Sequence, residues 1–123
     1  MNTTSLALYP YGAVSKMEGP AGVTTTFIFR VTRTGDTSKE TTFNYAVTGI
    51  GPNGANGADF VGGRLPAGTL RFAKGETTKD IVINVAGDAV FESTELFAVT
   101  LSNASGSAII TTRSAVGTIR NRR

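Results

Sequence analysis

Glu92 and Glu95 stand three residues apart, and a pair of carboxylates flanking a sugar ring is what glycoside hydrolysis requires. No cluster of aromatic residues accompanies them for sugar stacking, and at the entry to a strand the two need not face one cleft, so the spacing falls short of a catalytic pair. The chain has no cysteine and no histidine. That excludes disulfides, Cys/His zinc centres, thiolate nucleophiles and every triad built on an imidazole base. A lysine–asparagine crosslink needs both residues and an acid buried together. Asn44 and Asn84 lie mid-strand, but alternation turns both away from the apolar face. The stretch from Gly49 to Gly57, with four glycines, one proline and two asparagines, lacks the Gly-Lys-Ser/Thr and following helix of a phosphate cradle. It reads as a surface loop. Tyr9 and Tyr11 around Pro10 read as packing residues of a first strand or its edge. Arg113, Arg120, Arg122 and Arg123 gather near the end without the basic stripe and interleaved aromatics of a nucleic-acid binder, and read as a solvated tail.

The elements that must position any such group are strands. With 123 residues, 40% of them apolar, the chain is sized for one core and is too apolar for disorder. Period-two alternation recurs between Gly, Pro, Asn, Asp and Ser clusters. In Thr26 to Arg33, Phe27, Phe29 and Val31 share a face; in Thr42 to Thr48, Phe43, Tyr45 and Val47 do, and the two segments are expected to form a hairpin across Thr34 to Ser38. Gly68 to Phe72, Asp80 to Val85 and Glu95 to Ser102 follow. Ser107 to Thr112 is expected to pair as a hairpin with Ala115 to Arg120. No stretch of ten or more residues carries a capped helical period. About seven strands with turn signals every ten residues or so predict an all-β, immunoglobulin-like antiparallel sandwich, whose function would sit in the loops at its ends. No signal peptide or membrane span is visible, so direct membrane insertion is not expected.

Several fragments, in order and spacing, resemble one family. Phe29 to Ser38, Asn44 to Val47, Asp59-Phe60, Gly68 to Phe72, Gly75-Glu76-Thr77, Gly87-Asp88, Glu92, Glu95-Leu96-Phe97, and Leu101-Ser102-Asn103 with Gly117-Thr118-Ile119 are similar to the Calx-beta pattern, from about Val14 to the C-terminus. The resemblance implies a seven-stranded sandwich, one of several tandem copies in a larger surface or adhesion protein. Residues 1–123 would then be a single domain cut from a multi-domain parent, non-catalytic, extracellular or at the cell surface, with neighbouring domains as partners. A calcium-sensing regulatory domain of a membrane transporter, and a module binding a glycan or protein through its end loops, are the alternatives.

In the family's calcium-binding members one end of the sandwich holds the ions. Carried over by resemblance, the metal ligands are Glu18, Asp59, Asp88 and Glu92, and the cofactor is Ca2+, a hard cation that takes six to eight oxygens. The departure is at the end, where Asn121-Arg122-Arg123 replaces an acidic run. Cations in that position repel a divalent ion by several kcal/mol, roughly 8 at about 4 Å and an effective dielectric of about 20, which disfavours a multi-ion cluster. Two outcomes stay open: one weaker calcium on four carboxylates, or arginines folding back to neutralise them. As plain structure, Glu18 and Glu92 would be loop residues, and Asp59 and Asp88 turn formers.

Overall fold

The computed structural model describes residues 3–20, 22–51, 54–87, 94–106 and 108–120. Alternation is realised strand by strand. The chain forms β1 (Thr4–Pro10), β2 (Ser15–Met17), β3 (Thr24–Gly35), β4 (Thr41–Ile50), a 3-10 turn (Gly57–Asp59), β5 (Ala67–Phe72), β6 (Thr78–Ala86), β7 (Glu95–Ser102), β8 (Ile109–Thr112) and β9 (Ser114–Arg120). One sheet has the order β6-β3-β1-β8 and the other β2-β9-β7-β4-β5. The β1–β8 and β2–β9 pairs are parallel; the other strand pairs are antiparallel.

The inner faces carry the core. Phe27, Phe29 and Val31 of β3, with Ile81 and Ile83 of β6 and Leu6 and Leu8 of β1, meet Phe43, Val47, Phe72, Phe97, Val99 and Leu101 of the opposing sheet, all buried. Phe97 is the hub. Its ring meets Phe27 at 5.2 Å, Phe60 at 5.6 Å and Phe29 at 6.0 Å between centroids, each edge to face, the arrangement that aromatic quadrupoles favour. Gly117 on β9 makes room for it, since a Cβ there would lie 2.3 Å from the Phe97 ring.

The sandwich is as expected, and five local expectations are corrected. The described residues form nine strands rather than seven, because β1 and the three-residue β2 are too short or too weakly alternating to stand out. β3 and β4 are not a hairpin: they lie in different sheets, and residues 36–40 cross from one to the other. β8 does not pair with β9. Only Arg113 separates them, and a hairpin needs at least two linking residues, so the chain switches sheets at Arg113 and β8 runs beside β1 instead. Arg113, expected in a solvated tail, donates from Nη1 to the Leu101 carbonyl at 3.2 Å. Finally, the described residues of the stretch from Gly49 to Gly57 do not form a free surface loop. Gly54 bridges to Leu96, the Ala55 amide donates to the Leu96 carbonyl at 3.1 Å, and Ala55 is buried. Gly49 permits the fold-back, because a Cβ there would lie 2.2 Å from the Ala55 carbonyl oxygen.

Asn44 and Asn84 do face away from the core, each accepting a cross-strand hydroxyl, from Thr69 at 2.7 Å and Thr26 at 2.8 Å. On the same outer face as Asn84, Arg30 forks onto Asp80 at 2.8 and 3.2 Å and its guanidinium lies 3.6 Å from the Tyr11 ring centre. The hydrogen bond from Arg30 holds the Asp80 carboxyl below the usual carboxylate range. Because folding lowers that pKa, the pair's stabilisation is in place above about pH 4, where the unfolded carboxyl ionises, and is lost as pH falls through the lower folded value. Asp80→Asn is therefore expected to lower the melting temperature at neutral pH and to leave it nearly unchanged at pH values acid enough to protonate Asp80. An equal deficit at both would show that charge is not involved.

Candidate functional site

One end of the sandwich gathers acidic residues from segments far apart in sequence. β6 ends at Ala86, opposite Thr24 at the start of β3. The segment after β2 packs against this end: a Cβ on Gly87 would lie 2.3 Å from the carbonyl oxygens of both Gly19 and Pro20, so only glycine fits between them. The same segment is tied to β9 by the Glu18 amide, which donates to the Arg120 carbonyl at 2.7 Å. Glu18 is buried, at 4% exposure. It is thus no solvated loop residue.

Asp59 reaches the same end by another route. Phe60 bridges to Val85, and the Val61 amide donates to the Asn84 carbonyl at 3.0 Å, docking the 3-10 turn along the last residues of β6. Asp59, 6% exposed, accepts the Asn56 amide on Oδ2 at 2.8 Å, while the Asn56 side chain accepts the Ala58 amide at 2.9 Å. This reciprocal cap holds the turn and fixes the carboxylate's orientation. Asp59 therefore has a turn-forming role, with Oδ1 free of that particular duty.

Glu95 is a third acid at this end. It opens β7 opposite Ile119, one residue before Arg120, and is 8% exposed. In sequence Glu95 stands in a discounted carboxylate pair and at the start of a strand, not among the expected ligands. The available signal was its parity: Glu95 shares the inward face with Phe97, Val99 and Leu101, where a carboxylate is unusual. Lys16 of β2 adds a cation that laces the two sheets, donating to the Thr26 carbonyl at 2.6 Å and lying 5.6 Å from the Phe27 ring centre.

Of the four expected ligands, Glu18 and Asp59 are thus brought to one pole, buried. Asp88 and Glu92 lie outside the described residues, as do Asn121, Arg122 and Arg123. Gly87, directly before Asp88, is anchored at the pole, and Glu95 begins the strand that leaves it. The donors present are carboxylate and carbonyl oxygens, which suit a hard cation. Among the described residues no three His, Cys, Asp or Glu side chains form a group that could hold a metal.

The Gly87 contact gives a direct test of this packing. Gly87→Ala forces a methyl against two backbone carbonyls that cannot swing aside, so a loss of about 1–3 kcal/mol is expected from the shift in the urea midpoint. An unchanged midpoint would mean that the Glu18–Pro20 segment does not sit on Gly87.

The architecture has known counterparts. A family model for the Calx-beta domain matches residues 19–123. Among solved structures, the apo form of the Calx CBD1 domain is similar at a TM-score of 0.72 and 25% identity, over 96% of this chain and 98% of that one. The CBD12 structure from CALX1.2 is similar at 0.74 and 27%, over 94% of this chain and 45% of that one. The Calx CBD2 domain shares the fold, at 0.67 and 11% identity over 95% and 87%. No curated protein sequence matches. The family match begins just after Glu18, so the position of that residue rests on the packing around Gly87 and Arg120. With the match covering all of the chain from Gly19 onward, this protein belongs to the Calx-beta domain family.

Proposed function

We propose that this chain is a non-catalytic module of a larger cell-surface protein whose acidic pole takes up a single calcium ion of modest affinity. The observation that carries the reading is the burial of Glu18 and Asp59 at one end of the sandwich, where the segment after β2 packs on Gly87 and Phe60 bridges to Val85. Glu18, Asp59, Asp88 and Glu92 are the side chains that would hold the ion. Bound there, calcium would cross-link the segment after β2, the 3-10 turn and the β6–β7 connection, stiffening the pole. A structure similar to this one is described as the calcium binding domain CBD12 of CALX1.1, which supports the ion's identity.

The placement in a longer protein is supported by the similar CBD12 structure, of which this chain covers 45%, and neighbouring domains are the proposed partners. The affinity separates this reading from a regulatory calcium sensor. A closing Asn121-Arg122-Arg123 in place of an acidic run favours dissociation constants of about 10⁻⁴–10⁻³ M, the range of extracellular modules, rather than the 10⁻⁷–10⁻⁵ M of sensors.

Calorimetric titration with calcium, with melting temperatures in calcium and in chelator, tests the proposal. Heat of binding and a higher melting temperature in calcium are expected, both lost in Asp88→Asn. At free calcium about 100 times the dissociation constant the stabilisation is about 2.7 kcal/mol. No heat and no shift would remove the metal and leave a scaffold alone; micromolar binding would favour the sensor.

A further inference from the structure

We propose that the outer face of the five-stranded sheet is a self-association surface, on which a second copy of this chain stacks face to face. The face is built from the outward residues of β9, β7 and β4. Val116 lies opposite Ala98 and Ala98 opposite Thr48; in the next row Ser114 lies opposite Thr100. Val116 is 45% exposed and Leu96, one row nearer the pole, 36%. From Met17 and Arg120 at the pole edge to Arg71 at the far corner, the outward positions of this sheet carry no charged side chain.

Three observations favour a second copy over other occupants. First, a chain of net charge +3 associating about a twofold axis brings each residue near the axis close to its own counterpart, so like charges oppose unless the face is neutral. This face is neutral across its middle, whereas the outer face of the other sheet places Arg30 and Asp80 at its centre. Second, polar tips here bond sideways rather than outward: the Thr100 and Ser114 hydroxyls meet at 3.2 Å and the Thr69 hydroxyl donates to Asn44 at 2.7 Å. Such cross-strand pairs reduce the polar desolvation that stacking would require. Third, the size admits a weak dimer: at about 4.8 Å per strand and about 3.4 Å per residue, the 34 residues of the five strands offer roughly 550 Å², below the roughly 800 Å² per partner of a standard interface.

Sedimentation equilibrium and light scattering on the 123-residue chain, from about 1 μM to about 1 mM, test the proposal. A reversible dimer is expected that persists at high salt and in chelator, so that its fate is independent of the calcium reading. Val116→Lys and Thr48→Lys, each at an exposed position, are each expected to weaken the dimer by roughly tenfold or more with an unchanged melting temperature, and Val82→Lys, on the other sheet, to have no effect. If Val116→Lys impairs folding, Thr48→Lys carries the comparison. A monomer throughout the range would overturn the proposal, as would a dimer that survives both lysines or one that Val82→Lys breaks.

Discussion

Replacing Arg33 with alanine is expected to cost about 3–5 kcal/mol, a large part of the stability of a domain of this size. Arg33 is 1% exposed, yet no carboxylate pairs with it among the described contacts. Its guanidinium donates to the carbonyls of Glu76 at 2.9 Å, Lys39 at 2.6 Å, Ala73 at 2.9 Å and Thr37 at 3.5 Å, and to the Thr41 hydroxyl at 3.1 Å. The charge is tolerated because a planar fork with five N–H donors is matched by oxygen dipoles. The four carbonyls belong to the two connections that cross between the sheets, residues 36–40 and 73–77, and Thr41 opens β4, so one side chain holds both crossovers. Arg33→Lys is expected to recover little, since an ammonium on a flexible stem cannot reproduce the fork. Arg33→Met, which keeps the volume but not the donors, separates packing from hydrogen bonding. A urea midpoint for Arg33→Met within about 1 kcal/mol of the parent would show that the donors are dispensable.

Phe97→Ala is expected to cost about 3–5 kcal/mol as well, through a cavity at the centre of the aromatic cluster. The ring contacts Phe27, Phe29 and Phe60, and so joins β7 both to β3 of the opposite sheet and to the residue that follows Asp59. The mutation should therefore loosen the pole in addition to the core, and the calcium affinity proposed above is expected to fall with stability. Gly117→Ala, which drives a methyl into the same ring, is expected to act in the same direction but less strongly. Retention of full stability in Phe97→Ala would show that the cluster collapses to fill the space, against the close packing described here.

Most of the strands, and the layered architecture, were legible in the amino-acid sequence. Inward and outward parity in β3, β4, β6 and β7 follows from period-two burial, which is local chemistry. Glycine, aspartate and serine marked the turns. Turn chemistry, however, states that the chain bends and not which sheet it enters. The connection from β3 to β4 therefore read as a hairpin, when a buried arginine at the end of β3 gathers it into a crossover. Arg33 has the parity of Phe27, Phe29 and Val31, but nothing local reveals that loop carbonyls converge there to receive it.

The acidic pole divides in the same way. Residue types determined that only oxygen chemistry was available, with no thiol or imidazole, and the resemblance pointed to Glu18 and Asp59. Tertiary structure alone decided that these two are buried at one end, because burial there depends on a glycine contact between residues almost seventy positions apart in sequence and on a β-bridge from Phe60 to Val85. It also added Glu95, an inward carboxylate at the mouth of β7. Local pattern fixes which face a residue takes; only the meeting of distant segments fixes what that face confronts.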